Sequence, residues 1–152
     1  MKLNKVDIIK LQSNVYRDYL GDEWEINFPL GIVFRGYENN PISQSMPITY
    51  TTLNPLQAAE YSEKIACLDP NVSNTADLNS IPFSYDDGND LILKVENFAI
   101  NLAQSSSEFD SAFIELDTGV MDGPELILFE PEKAKIIGHL EINWEDQSIS
   151  II

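Results

Sequence analysis

Ile48-Thr-Tyr-Thr-Thr-Leu-Asn-Pro-Leu-Gln-Ala-Ala-Glu-Tyr61 joins a strand to a helix with no loop between them. Ile48 to Leu53 is β-branched and aromatic, the composition of a half-buried strand. Asn54 suits an N-cap, Pro55 the first helical position, and Gln57 the reciprocal place of a capping box. The pattern predicts a helix to about Ala66, with Leu56, Ala59 and Ile65 inward, closed by Asp69-Pro70. Upstream, Gly31-Ile-Val-Phe-Arg-Gly-Tyr37 is an apolar strand preceded by Pro29, and Glu38 to Pro47 reads as a loop. Further back, Ile8, Leu11, Val15 and Tyr19 recur at helical spacing. A helix is therefore expected over residues 4–20, capped by Asn4 or Asp7 and stopped by Gly21.

Downstream, residues 70–89 are rich in Asn, Ser, Pro and Asp, the composition of a long connection or flap. Strands are then expected at Asp90 to Val95, Ala112 to Leu116, Glu125 to Phe129 and Lys135 to Ile142, with a short edge strand in 145–152. Gly88, Gly119, Asp122-Gly123-Pro124 and Pro131 punctuate them. The order helix, strand, strand, helix, many strands implies an α+β fold. Its core is mostly antiparallel sheet, with an N-terminal helix and a second helix after the second strand.

The chain has 152 residues, the size of one ordinary domain, so 1–152 is expected to fold as one unit. Nine basic residues stand against 25 acidic ones, a net charge of −16. Phosphate backbones and anionic lipid attract clustered Lys and Arg, so neither nucleic acid nor a membrane surface is an expected partner. No apolar run is long enough to span a bilayer, the N-terminus lacks an export signal, and Cys67 is the only cysteine. A cytoplasmic protein without disulfides is the expectation.

A single histidine and a single cysteine argue against a zinc site of the Cys/His type and against a Cys–His catalytic pair. His139, in the last long strand, reads as a strand histidine with a satisfied ring nitrogen. Asp86-Asp87-Gly88-Asn89-Asp90 lacks the alternating ligands of a calcium loop and reads as a turn, so no metal is expected. Glycine-rich phosphate loops and a nucleophile elbow are also absent.

Arg35 stands out, one of two arginines and set in an apolar strand. Withdrawing a guanidinium from water costs several kcal/mol unless a partner compensates. Its fork suits a phosphate or carboxylate, and Gly36 beside it would let a ligand approach the backbone. A solvated strand face or a structural ion pair would also explain it. Thr51-Thr52 supplies two hydroxyls at the strand–helix junction, and Gly123-Pro-Glu-Leu-Ile-Leu-Phe-Glu-Pro131 puts a carboxylate at the mouth of a buried strand. Each is common taken singly.

In this order, Phe34-Arg35-Gly36-Tyr37, Tyr50-Thr51-Thr52 with its following helix, and Glu125-Leu-Ile-Leu-Phe resemble the ADP-ribosyltransferase superfamily of toxins and of related phage and bacterial effectors. That family has an Arg on an early strand, a Ser/Thr pair before a helix, and a Glu leading a late strand. The resemblance spans roughly residues 30–138. It implies a split-sheet fold and transfer of ADP-ribose from NAD to a macromolecular acceptor, or NAD hydrolysis alone. It implies Glu125 as the catalytic residue, with Arg35, Gly36, Thr51, Thr52 and Tyr61 binding NAD; Thr49 or Thr52 could take the place of Thr51, Glu130 or Glu132 that of Glu125, and the tyrosine of the 70–89 flap, Tyr85, that of Tyr61. Members that modify protein arginine carry Glu or Gln where this chain has Gly123, so the acceptor stays open. The alternatives are a non-catalytic acidic module that mimics nucleic acid and occupies a basic partner, and a transferase fold without its chemistry.

Overall fold

The computed structural model describes residues 3–42, 47–83, 88–116 and 123–152. The N-terminal third comprises β1 (Lys5–Val6), the one-turn helix α1 (Ile8–Leu11), β2 (Val15–Arg17), β3 (Glu23–Glu25) and β4 (Val33–Tyr37). There follow β5 (Thr49–Thr52), α2 (Pro55–Ala59), β6 (Lys64–Asp69), β7 (Thr75–Asp77) and α3 (Gly88–Ser105). The chain ends with β8 (Ser111–Leu116), β9 (Gly123–Leu128), β10 (Lys135–Asn143) and β11 (Ser148–Ile151). The fold is α+β and mostly sheet, as expected, but three secondary-structure assignments from sequence need correction.

The helix expected over 4–20 is absent beyond Leu11. Gln12 ends it by turning its side chain to the facing strand entry, where Oε1 accepts from Gly31 N at 2.7 Å and Nε2 donates to the Ile32 carbonyl at 2.9 Å. Val15 and Tyr19, which completed the helical spacing, are 46% and 71% exposed. The inward residues are Tyr16 and Trp24, on the paired strands β2 and β3.

The cap of α2 forms as expected, with Asn54 accepting from Leu56 N, but the helix stops at Ala59 rather than Ala66. Ser62 turns the chain by donating to the Tyr37 carbonyl at 2.6 Å. Ile65 to Leu68 then form a strand buried on both faces, Ile65 and Cys67 on one side, Ala66 and Leu68 on the other. A strand covered on both sides lacks the polar alternation that identifies strands.

The third correction is the strand expected at Asp90 to Val95, which is part of the long helix α3. Leu91, Val95 and Ala99 recur at helical spacing and are fully buried against Ile48, Ala76, Ala112 and Ile127. Burial of Leu91 and Val95 contributes roughly 1.5–3 kcal/mol each, which fixes the helix against the sheet. Part of the connection expected at 70–89 is also structured: β7 pairs with β1 and β8. Tyr85 lies outside the described residues, as do Asp86 and Asp87 of the acidic turn expected at 86–90, and Gly88 opens α3.

Nine strands form one sheet in the order β1-β7-β8-β9-β5-β4-β6-β10-β11, antiparallel except for β7 with β8. The seam between β5 and β4 positions the site. β5 matches β9 at four positions and β4 matches β6 at five, yet β4 and β5 match each other only at Phe34 and Thr52. Beyond that pair β4 and β5 have no further register partners in each other.

Candidate functional site

Arg35 is the next residue of β4 after the last matched pair, so its side chain stands where the seam opens. Nη1 donates to the Tyr50 carbonyl at 2.7 Å, a β5 acceptor left over as the ladder ends. Nε is buried without a partner, and no carboxylate pairs with the guanidinium among the described residues. Burial pushes its pKa below the usual arginine value.

Glu125, near the start of β9, is the register partner of Thr52 and is 5% exposed. Oε1 accepts from Gln57 Nε2 at 3.3 Å, while Oε2 is buried and unpartnered. Withdrawal from water favours the neutral acid and pushes its pKa up to about 7. Thr52 belongs to the same group: its hydroxyl lies 2.9 Å from Gln57 Oε1 and 3.1 Å from the Pro124 carbonyl. That carbonyl already accepts from Leu53 N at 3.0 Å. Thr51 is directed elsewhere and gives its hydroxyl to the Leu126 carbonyl at 2.8 Å.

These residues line one cavity of about 360 Å³ at the seam. Arg35, Gly36, Tyr50, Thr51, Thr52, Tyr61 and Glu125 contribute to its wall, as do Glu96 and Ile92 of α3. All six residues named from the sequence are therefore brought together. Thr49 and the alternative carboxylates Glu130 and Glu132 do not line it, and Glu130 pairs with Lys133 at 2.8 Å.

Gly36 also has a packing reason. A Cβ there would lie 2.6 Å from the Ala58 carbonyl and 3.2 Å from Tyr61 Cβ. Its missing side chain makes room for α2 to pack on β4. Tyr61 is 63% exposed, which places it at the rim.

Tyr50, Glu96 and Gln57 were not singled out for chemistry from sequence. The Tyr50 hydroxyl is buried and unpartnered. Burial first, then the nearby charges of Glu96 and Glu125, push its pKa above the usual phenol value, so it stays a donor. Glu96 lies on α3, just past the stretch whose composition reads as a strand, and Gln57 reads in sequence only as a helix-start residue. Among the described residues, three buried side-chain polar atoms lack a partner: Arg35 Nε, Tyr50 Oη and Glu125 Oε2. All three belong to residues of this cavity wall.

His139 meets its expectation, with Nε2 2.8 Å from the Tyr37 hydroxyl. No group of acidic, His and Cys side chains suited to a metal ion occurs among the described residues, and no described helix is long and apolar enough to cross a membrane. No protein-family model, curated protein or solved structure matches the chain.

Proposed function

We propose that the protein is an ADP-ribosyltransferase-like enzyme that cleaves the nicotinamide–ribose bond of NAD and passes ADP-ribose to a macromolecular acceptor or to water. The observation that carries this reading is the meeting of Arg35, Thr52 and Glu125, from the three strands β4, β5 and β9, around one cavity at the β4–β5 seam. Unsatisfied buried polar atoms are rare in folded proteins, and three in one hollow are accounted for by a polar ligand that completes them.

In the reaction the bond between ribose C1′ and the pyridinium nitrogen breaks, and its electron pair leaves with neutral nicotinamide. Positive charge develops on the ribose, as in glycoside hydrolysis. The Glu125 carboxylate, held in a water-poor site, stabilises that charge more strongly than it would in bulk solvent. The acceptor's nucleophilic atom then bonds to C1′ and releases its proton. Arg35 offers Nε to a phosphate or ribose oxygen and supplies local positive charge for an anionic ligand in an acidic protein. The Tyr50 hydroxyl donates to a ligand acceptor, and Tyr61 packs on it from the rim. At about 360 Å³ the cavity is at the small end of ligand sites, suited to the reacting nucleotide half rather than the whole dinucleotide.

The test is release of nicotinamide from NAD, by the protein alone and with cell lysate and labelled NAD. Wild type should release it, and Glu125→Gln should lower the rate by about 10³-fold or more while circular dichroism stays native. A wild type that neither binds nor turns over NAD under either condition overturns the reading.

A further inference from the structure

Glu125 has two carboxylate oxygens in different circumstances, and the difference traces to one side chain from α2. Gln57 is 7% exposed, and its amide lies between Thr52 and Glu125. The two ends of an amide are told apart by their neighbours. Thr52 Oγ1 already accepts from Asn54 N at 3.0 Å, so its proton is free to go outward. The Pro124 carbonyl has its own donor in Leu53 N. The Thr52 proton has two acceptors within reach, Gln57 Oε1 at 2.9 Å and the Pro124 carbonyl at 3.1 Å, and the shorter contact to Oε1 turns Nε2 toward Glu125.

Gly123 makes this arrangement possible. Its φ is +89°, and a Cβ at that position would overlap Gln57 Oε1. The start of β9 is therefore bare of side chain where the amide lies. Asn54 and Pro55 begin α2 immediately after β5, so Gln57 is one turn into a helix whose position is set by Thr52's own strand. Helix start, hydroxyl, amide and carboxylate form one connected chain of hydrogen bonds.

We infer that Gln57 is a positioning residue that holds one oxygen of Glu125 through its amide, oriented by Thr52, and leaves the other oxygen aimed into the cavity. This rests on the reading of Glu125 as the catalytic carboxylate. Fixing Oε1 removes the rotation that would otherwise let the carboxylate turn its free oxygen away from the reacting carbon. Misplacement of a reacting group by about 1 Å can cost about 10²-fold in rate.

The test compares wild type with Gln57→Met, which keeps the length and helix preference of the side chain, and with Thr52→Val, which keeps its shape. Two readouts are followed: steady-state nicotinamide release, and the titration of Glu125 by carbon-13 NMR of its carboxyl, assigned with Glu125→Gln. The other ionisable groups on the cavity wall, Arg35, Tyr50, Glu96 and Tyr61, are unchanged in both variants.

Gln57→Met should lower kcat by about 10²-fold with little change in KM for NAD. It should also move the Glu125 titration upward, because a donor to the charged form is lost. Thr52→Val should do the same more weakly, about 10-fold in kcat, since the amide stays but loses its orienting partner. A folded Gln57→Met protein with both kcat and the Glu125 titration unmoved overturns the inference. If wild type turns over no NAD while Gln57→Met still shifts the titration, the enzymatic reading falls and the hydrogen-bonded relay stands.

Discussion

Two hollows among the described residues differ in character, and the wider is the less interesting chemically. A groove of about 1010 Å³ runs between the β1–α1 segment and the connection after β6, lined by Lys5, Asp7, Lys10 and Asp69 among others. Its polar groups have local employment. Lys5 donates to Asn74 at 3.1 Å, Asp7 caps α1, and Asp69 accepts from Asn71 N at 3.0 Å. The seam cavity has about a third of that volume, yet the residues of its wall carry all three unpartnered buried polar atoms of the described residues. Volume reflects how elements happen to pack. Dehydrated, unsatisfied polar groups impose a cost on the fold, and that cost is what a ligand would relieve.

The strongest way to break this comparison is to measure stability against pH. The folded pKa of Glu125, about 7, lies above its ordinary value of 4.5. The native state therefore binds the proton more tightly than the unfolded chain does. The Glu125 contribution is fully favourable below pH 4.5 and is lost as pH rises through about 7. The loss amounts to about 3 kcal/mol. Urea denaturation should show Glu125→Gln matching wild type near pH 4 and exceeding it by about 3 kcal/mol near pH 8. Equal stability of Glu125→Gln and wild type at both pH values would show that the carboxyl is not held in a dehydrated site.

A smaller effect separates the two hollows by ligand rather than by stability. Arg35→Lys keeps the charge and discards the unpartnered Nε. KM for NAD should rise roughly 10–100-fold with kcat nearly unchanged, because a planar fork is replaced by a point charge. Lys10→Ala, in the groove, should change neither constant. Steady-state kinetics on the two variants decides between the hollows.

Sequence revealed the strands that carry this site better than the helices around it. β4, β5 and β9 have strong local signals, and each places a recognisable residue at its end or seam. Arg35 was legible because a lone guanidinium in an apolar strand calls for an explanation. Thr52 and Glu125 were legible as residues, but their shared register was not, since a cross-strand pair leaves no mark on either strand alone. The helices failed for distinct physical reasons. Around Leu91-Ile92-Leu93 the side chains are strand-like over a few residues, and only the spacing continued through Val95 and Ala99 reveals α3. Glu96 went unnoticed with it. The start of α2 was clear, but its end depends on Ser62 reaching the Tyr37 carbonyl, a tertiary contact. Gln57 was visible as a helix-start residue. Its second role needs Gly123 bare beside it, more than sixty residues away in sequence.

The finest distinction concerns Tyr50, whose hydroxyl is buried without a partner while its ring packs beside the α3 core. In a hydroxyl used only for structure, deletion strands a partner and destabilises the fold. Here no partner is stranded, and the desolvation cost of the hydroxyl is removed. Tyr50→Phe should therefore leave stability within about 0.5 kcal/mol of wild type or raise it slightly. Ligand binding should move the other way, since the phenol stays protonated beside Glu96 and Glu125 and is ready to donate. Loss of one such hydrogen bond should weaken NAD binding by about 10-fold, within the range of a single neutral donor. Denaturation and NAD titration on the same sample give both numbers. A variant that loses stability and binds NAD unchanged would make Tyr50 a structural group with a hidden partner, and would cut the cavity's set of waiting polar atoms from three to two.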